Sequence, residues 1–208
     1  YDARLGQVVY LNRVAEAWGW SGSAWRSLSI GAAPRLAEPG SVANPGLLLV
    51  AMGYDQGRDQ LVLTLPDATW TWDGTHWKQS GGGIDPADSQ SDPHAIYNAA
   101  RGELEYLGAK SIWTWDGIRW SSHPKPGVVG GAVGYDPVRK NALVVKDDTS
   151  ACDKASCATR VWRWDGTTWS EPPVKHRPTL PLARSGGFDL PMTFDESRGV
   201  MVLFATAA

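Results

Sequence analysis

Three stretches of this chain repeat one arrangement: Trp70-Thr71-Trp72-Asp73-Gly74-Thr75-His76-Trp77, Trp113-Thr114-Trp115-Asp116-Gly117-Ile118-Arg119-Trp120 and Trp162-Arg163-Trp164-Asp165-Gly166-Thr167-Thr168-Trp169. A degenerate copy, Trp18-Gly19-Trp20-Ser21-Gly22-Ser23-Ala24-Trp25, keeps the spacing with Ser in place of Asp. Two Trp residues at period two share one face of a strand, and the third belongs to the returning strand. Asp-Gly between them supplies the positive φ of a tight turn. Each copy is therefore a β-hairpin.

A second element alternates with the hairpins: Tyr54-Asp55 with Arg58, Tyr97-Asn98 with Arg101, Tyr135-Asp136 with Arg139, and Phe194-Asp195 with Arg198. Tyr1-Asp2 with Arg4 is a version one residue shorter. An apolar run follows each, as in Leu61-Val62-Leu63 and Leu143-Val144-Val145, so each unit reads as strand, turn, strand and then hairpin. Units of four antiparallel strands recurring at roughly 40 to 50 residues predict a β-propeller, because such a sheet must bury both faces against its neighbours.

The predicted blades cover about 1–26, 48–79, 94–121, 129–170 and a partial 188–208. The first begins at its turn and the last ends after two strands, so the expectation is a segment of a larger ring. In unit three, Glu103 and Glu105 alternate with Leu104 and Tyr106, which predicts a strand with one wetter face.

The order Pro181, Arg184, Gly186-Gly187, Phe194-Asp195, Arg198 and Val202 to Phe204, together with the hairpins, resembles the kelch or galactose-oxidase-like repeats of bacterial surface and secreted proteins. The resemblance spans the whole chain. It implies a propeller fold and leaves the activity open, since propellers host unrelated functions. Copper enzymes of this kind use two His, an axial Tyr and a Tyr joined to Cys. Only Cys152 and Cys157 could supply that cross-link, and both lie in the polar insert from Lys146 to Arg160, where a mutual disulfide is simpler. No second Cys or His pair completes a zinc shell around them. The Asp-Gly turns are not sialidase Asp boxes, in which one residue separates Asp from Gly.

A formal charge of −2 with scattered Lys and Arg gives no reason to expect a nucleic acid or anionic membrane partner. No apolar run reaches the roughly 20 residues of a membrane span. A disulfide implies an oxidising compartment, so the segment is expected outside the cell or at its surface, any signal peptide lying outside it.

In a four-stranded blade the turns after strands one and three lie on one side, and the loops after strands two and four on the other. The first set is short and stereotyped. The second comprises the connector Ser27 to Asn44, the loops Ser80 to Pro93 and Ser121 to Val128, the cysteine insert, and the linker Glu171 to Gly187. Binding is expected on that long-loop side, with Arg35, Asp85, Asp88, His94, His123, Asp147, Asp148, Lys175 and His176 as candidate contacts. Structural roles go to Trp20, Trp25, Trp70, Trp72, Trp77, Trp113, Trp115, Trp120, Trp162, Trp164 and Trp169, as packing between sheets. Asp55, Arg58, Asp136, Arg139, Asp195 and Arg198 are expected to form turn caps with partner arginines. Neither the histidines nor Asp85, Asp88 and Asp92 follow a metal-ligand spacing, and no cofactor or catalytic set is expected. The resulting expectation is a non-catalytic module that binds a protein. Glycan binding on a Trp platform and a scaffold role within a secreted enzyme are the alternatives.

Overall fold

The computed structural model describes residues 1–11, 16–28, 34, 51–85, 88, 94–124, 131–153, 156–181 and 191–204. These residues are all-β, in five antiparallel sheets. The first holds β1 (Val8–Leu11), β2 (Ala17–Trp20) and β3 (Trp25–Ser27). The second holds β4 (Ala51–Asp55), β5 (Gln60–Thr64), β6 (Thr69–Trp72) and β7 (Trp77–Gly81), and the third β8 (His94–Asn98), β9 (Glu103–Leu107), β10 (Ser111–Trp115) and β11 (Trp120–Pro124). The fourth holds β12 (Ala132–Asp136), β13 (Asn141–Cys152), β14 (Ser156–Trp164), β15 (Trp169–Ser170) and β16 (Thr179–Pro181), the last paired with β14. The fifth is β17 (Met192–Asp195) with β18 (Val200–Leu203). No helix among the described residues is long and apolar enough to cross a membrane.

Local chemistry sets both kinds of turn. In each hairpin the second and third Trp face each other across the strands, Trp72 with Trp77, Trp115 with Trp120 and Trp164 with Trp169. The paired rings lie 5.2 to 5.4 Å apart. The glycine alone takes the positive φ, 91° at Gly74, 100° at Gly117 and 95° at Gly166. The aspartate caps instead: Asp73 Oδ1 accepts the N–H groups of Thr75 and His76, each at 2.8 Å. Hydrogen bonds from Thr75 first, and from the His76 and Thr75 backbone next, hold the Asp73 carboxyl down at about 2. At the other turns Asp55 and Asp136 are buried, accept the N–H of Arg58 and Arg139, and pair with those guanidinium groups at 3.0 and 2.7 Å.

The core lies between successive sheets. Val9 and Ala17 of the first sheet pack with Leu61, Leu63, Trp72 and Trp77 of the second. Val62 of the second packs with Leu104 and Trp115 of the third, and Ile112 of the third with Val144 and Trp164 of the fourth. Trp72, Trp115 and Trp164 are almost wholly removed from solvent. Truncating an indole buried like these to Ala costs about 3 to 5 kcal/mol.

Polar clasps recur at the same joints. The hydroxyl of Tyr54 accepts the Arg4 N–H at 3.2 Å, that of Tyr97 the Gly57 N–H, and that of Tyr135 the Ala100 N–H at 3.0 Å, each from the turn of the preceding sheet. In the opposite direction Arg4, Arg58 and Arg101 lie over Gly74, Gly117 and Gly166 of the following sheet, where a Cβ would have no room. Arg58 also donates to the Asp116 carbonyl. Tyr and Arg of the repeated turn thus reach to opposite neighbours.

The third sheet corrects the wetter-face expectation. Glu105 is fully buried and occupies the place of Val62 in the second sheet. Its Oε1 accepts from Asn98 Nδ2 at 2.8 Å and from Trp164 Nε1 at 3.3 Å. Asn at the Asp position therefore supplies a donor where a second carboxylate would repel. Desolvation, only partly offset by the Asn98 and Trp164 bonds, pushes the Glu105 carboxyl up to about 7 from an ordinary 4.5.

The folded chain thus retains a proton that the unfolded chain has released, and this contribution declines as pH rises from about 4.5 to about 7. Urea melts across that range should show wild type losing a few kcal/mol relative to Glu105→Gln. A pH-independent difference between the two proteins would contradict the assignment.

Candidate binding face

β13 and β14 continue beyond the last residues that β12 pairs with, Val145 being the partner of Ala132. The segment expected as a polar loop from Lys146 to Arg160 is thus a β-hairpin that extends the fourth sheet as an arm. Its sequence explains this, because Ala158-Thr159-Arg160-Val161-Trp162 is a β-favouring run leading into the Trp hairpin. A register irregularity between Asp147 and Cys152 takes up the unequal strand lengths. At the tip Cys152 and Cys157 face each other across the strands and are joined as a disulfide, as expected from the sequence.

The proline-rich linker from Glu171 also departs from expectation. Thr179–Pro181 forms β16 along the outer side of the arm, with Ser156 opposite Pro181 and Ala158 opposite Thr179, and Thr159 N–H donates to the Pro178 carbonyl at 3.1 Å. Proline is tolerated on this strand because it lies at the sheet edge. Two ion pairs tie the linker to the arm. Arg160 grips Glu171 in a fork, Nε to Oε1 at 2.6 Å and Nη2 to Oε2 at 2.9 Å, and its guanidinium lies 4.9 Å over the Trp162 ring. Arg177 approaches Asp148 at 3.7 Å. The Arg160 bonds hold the Glu171 carboxyl below its ordinary range. Such exposed pairs add little stability; their effect is to fix orientation.

The candidate residues divide accordingly. Asp147, Asp148, Lys175 and His176 gather on the arm and its strap, with Lys175 and His176 exposed. Asp85 is exposed in the loop after β7. Asp88 and His123 have partners within the fold. Asp88 is buried, accepts Trp113 Nε1–H at 2.7 Å and the Lys110 N–H, and so anchors its loop to the third sheet. His123 lies on β11, its Nε2 3.3 Å from Thr114 Oγ1 and its ring 6.0 Å from Trp164. His94 opens β8, and Arg35 lies outside the described residues, as does most of the connector Ser27 to Asn44. Asp92 does so too.

The sequence reading missed Arg160, Glu171 and Trp162 as the brace of the arm. Among the described residues no three His, Cys, Asp or Glu side chains are grouped closely enough to hold a metal ion. The indoles fill the joints: Trp113 and Trp120 donate to Asp88 and, at 2.8 Å, to Thr69 Oγ1 of the preceding sheet. Trp25 is the exposed exception, 49% accessible. A separate cavity of about 470 Å³ lies at the turn end of β8, β12 and β17, lined by Tyr97, Tyr135, Met192, Phe194 and Gln56.

No family model matches the chain, and no curated protein matches it significantly. The disulfide closes only the arm, so replacing Cys152 and Cys157 together by Ser should raise amide hydrogen exchange at 146–160 by at least about tenfold and leave β4 to β7 unchanged. A loss of protection throughout the chain would show that the bond supports the whole fold.

Proposed function

We propose that the chain is an arc of a kelch-like β-propeller that acts as a non-catalytic binding module outside the cell or at its surface, holding a protein partner on the long-loop side. Three features support the propeller reading. The hairpins resemble kelch repeats, successive sheets bury a common core, and the innermost strands approach one another in chain order, β4 with β8, β8 with β12 and β12 with β17. Sheets fanned about that line are the blades of such an arc. The cysteine pair suits an oxidising environment.

The observation that carries the binding reading is the arm. It is the one described element that the repeat does not require, and it is braced by a disulfide, an edge strand and two ion pairs while leaving Lys175 and His176 to solvent. A rigid projection with mixed charge presents a contact surface at low entropic cost, as protein recognition demands. Most indoles are committed to the joints, which favours a protein partner over a stacked glycan.

Photo-cross-linking tests this directly. With benzoylphenylalanine at Lys175 or Asp147, surface proteins of the source cell should be captured as one discrete adduct. The same label at Thr75 or Ile118 on the opposite side should capture none. Adducts only from the turn side, or a glycan-array signal with quenched tryptophan fluorescence, would overturn the reading.

A further inference from the structure

A second cavity, of about 490 Å³, opens in the joint between the second and third sheets, on the side of the turns. Both of these sheets have a packed neighbour on either side. Gln60, Thr71, Lys78 and Ser80 of the second sheet form its wall, and Arg58, which lies over Gly117 of the third, borders it.

The next joint holds the same place with different residues. Glu103 stands there for Gln60, Thr114 for Thr71, Ser121 for Lys78 and, three residues after the hairpin's last Trp, His123 for Ser80. In that joint the polar groups satisfy one another. Arg101 Nε pairs with Glu103 at 3.0 Å and Arg119 with Asp116 at 3.5 Å. The His123 imidazole takes up the space, with Nε2 3.3 Å from Thr114 Oγ1 and its ring 6.0 Å from that of Trp164.

The cavity differs at three of these positions. Gln60 in place of a glutamate removes a negative charge, Lys78 in place of a serine adds a positive one, and Ser80 in place of a histidine removes bulk. Among the described residues the Lys78 ammonium has no counter-ion and the Gln60 side-chain amide no hydrogen bond. Thr71 Oγ1 and Ser80 Oγ lie 2.7 Å apart, so one hydroxyl serves the other and one remains to donate. Other charges in the lining are already engaged. Asp73 Oδ1 accepts the Thr75 N–H, the Thr75 hydroxyl and the His76 N–H at 2.6 to 2.8 Å, and Arg58 pairs with buried Asp55 at 3.0 Å. An unpaired ammonium with amide and hydroxyl donors beside it is the set of groups that oxyanions recruit.

We infer that this cavity is a binding site for a small oxyanion, a phosphate or sulfate group, with Lys78 as its counter-ion and Gln60, Thr71 and Ser80 as hydrogen-bond donors. Its volume exceeds that of a bare tetrahedral ion, which leaves room for the organic part of a monoester. The walls share no residue with the arm, so the site does not depend on the protein-binding role proposed there.

Nitrogen-15-labelled protein titrated with sodium sulfate, inorganic phosphate and phenyl phosphate, at an ionic strength held constant with chloride, tests the site. The amides of Thr71, Lys78 and Ser80 should shift saturably, and those of the matching Thr114 and Ser121 should not. Tighter binding of phenyl phosphate would assign the site to monoesters, and equal or weaker binding to the free ion. Lys78→Ser and Gln60→Glu each install the residue of the next joint at a position that is not buried. Each should weaken binding at least about tenfold and leave the remaining amide signals in place. No saturable shift with any of the three anions, shifts spread over exposed lysines and arginines elsewhere, or binding indifferent to both substitutions would each overturn the inference.

Discussion

The structure depends on indole rings buried between sheets. A four-stranded antiparallel sheet of this size has two faces to cover, and the described residues hold no helix that could cover them, so each sheet packs on another sheet. The cross-strand pairs Trp72 with Trp77, Trp115 with Trp120 and Trp164 with Trp169 provide bulk at one fixed point of each sheet. The surface opposite them is filled by Val9, Val62 and Ile112 of the sheet before. Because the same volume recurs at the same register, each sheet is at once a covering layer and a layer to be covered. Indole N–H groups complicate the arrangement. Those of Trp120 and Trp164 find Thr69 and Glu105, whereas those of Trp72 and Trp115 have no acceptor among the described residues. Burial of the ring outweighs that cost at the latter two.

Around this apolar contact the Tyr-Asp-x-x-Arg turn works as a hinge pin with two ends. Its aspartate is spent locally on capping, which frees the tyrosine hydroxyl to hold the preceding turn and the arginine to cover the following hairpin. That division of labour explains why the residues recur in every unit and why their recurrence does not signal chemistry. The fifth sheet departs from this pattern: Phe194 replaces the tyrosine and so offers the fourth sheet's turn no hydroxyl.

The hairpins, the capped turns and the disulfide were legible because their determinants lie within a few residues of one another. Gly74 needs its positive φ whatever surrounds it, and Asp55 caps a turn that closes at Arg58. Long-range pairing was not legible. Glu105 sits in an alternating stretch that reads as half-solvated, yet its partners Asn98 and Trp164 are 7 and 59 residues away. Asp88 looked like one of several loop carboxylates until Trp113, 25 residues on, turned its N–H toward it. The arm was hidden by composition: cysteines, charges and a proline-rich strap read as loop, whereas β16 becomes a strand only by pairing with β14. Of the candidate residues, Asp147, Asp148, Lys175 and His176 lie on the arm and its linker, whereas Asp88 has a buried partner that its local sequence does not show.

The central claim is that indoles at one register hold the sheets together, and their N–H exchange tests it most directly. In a nitrogen-15 tryptophan-labelled sample, the Nε1–H signals of Trp72, Trp115 and Trp164 should exchange only with opening of the fold, while that of Trp25 exchanges within the dead time. Fast exchange at Trp72, Trp115 and Trp164 alike, in a chain that remains folded by backbone signals, would contradict the account.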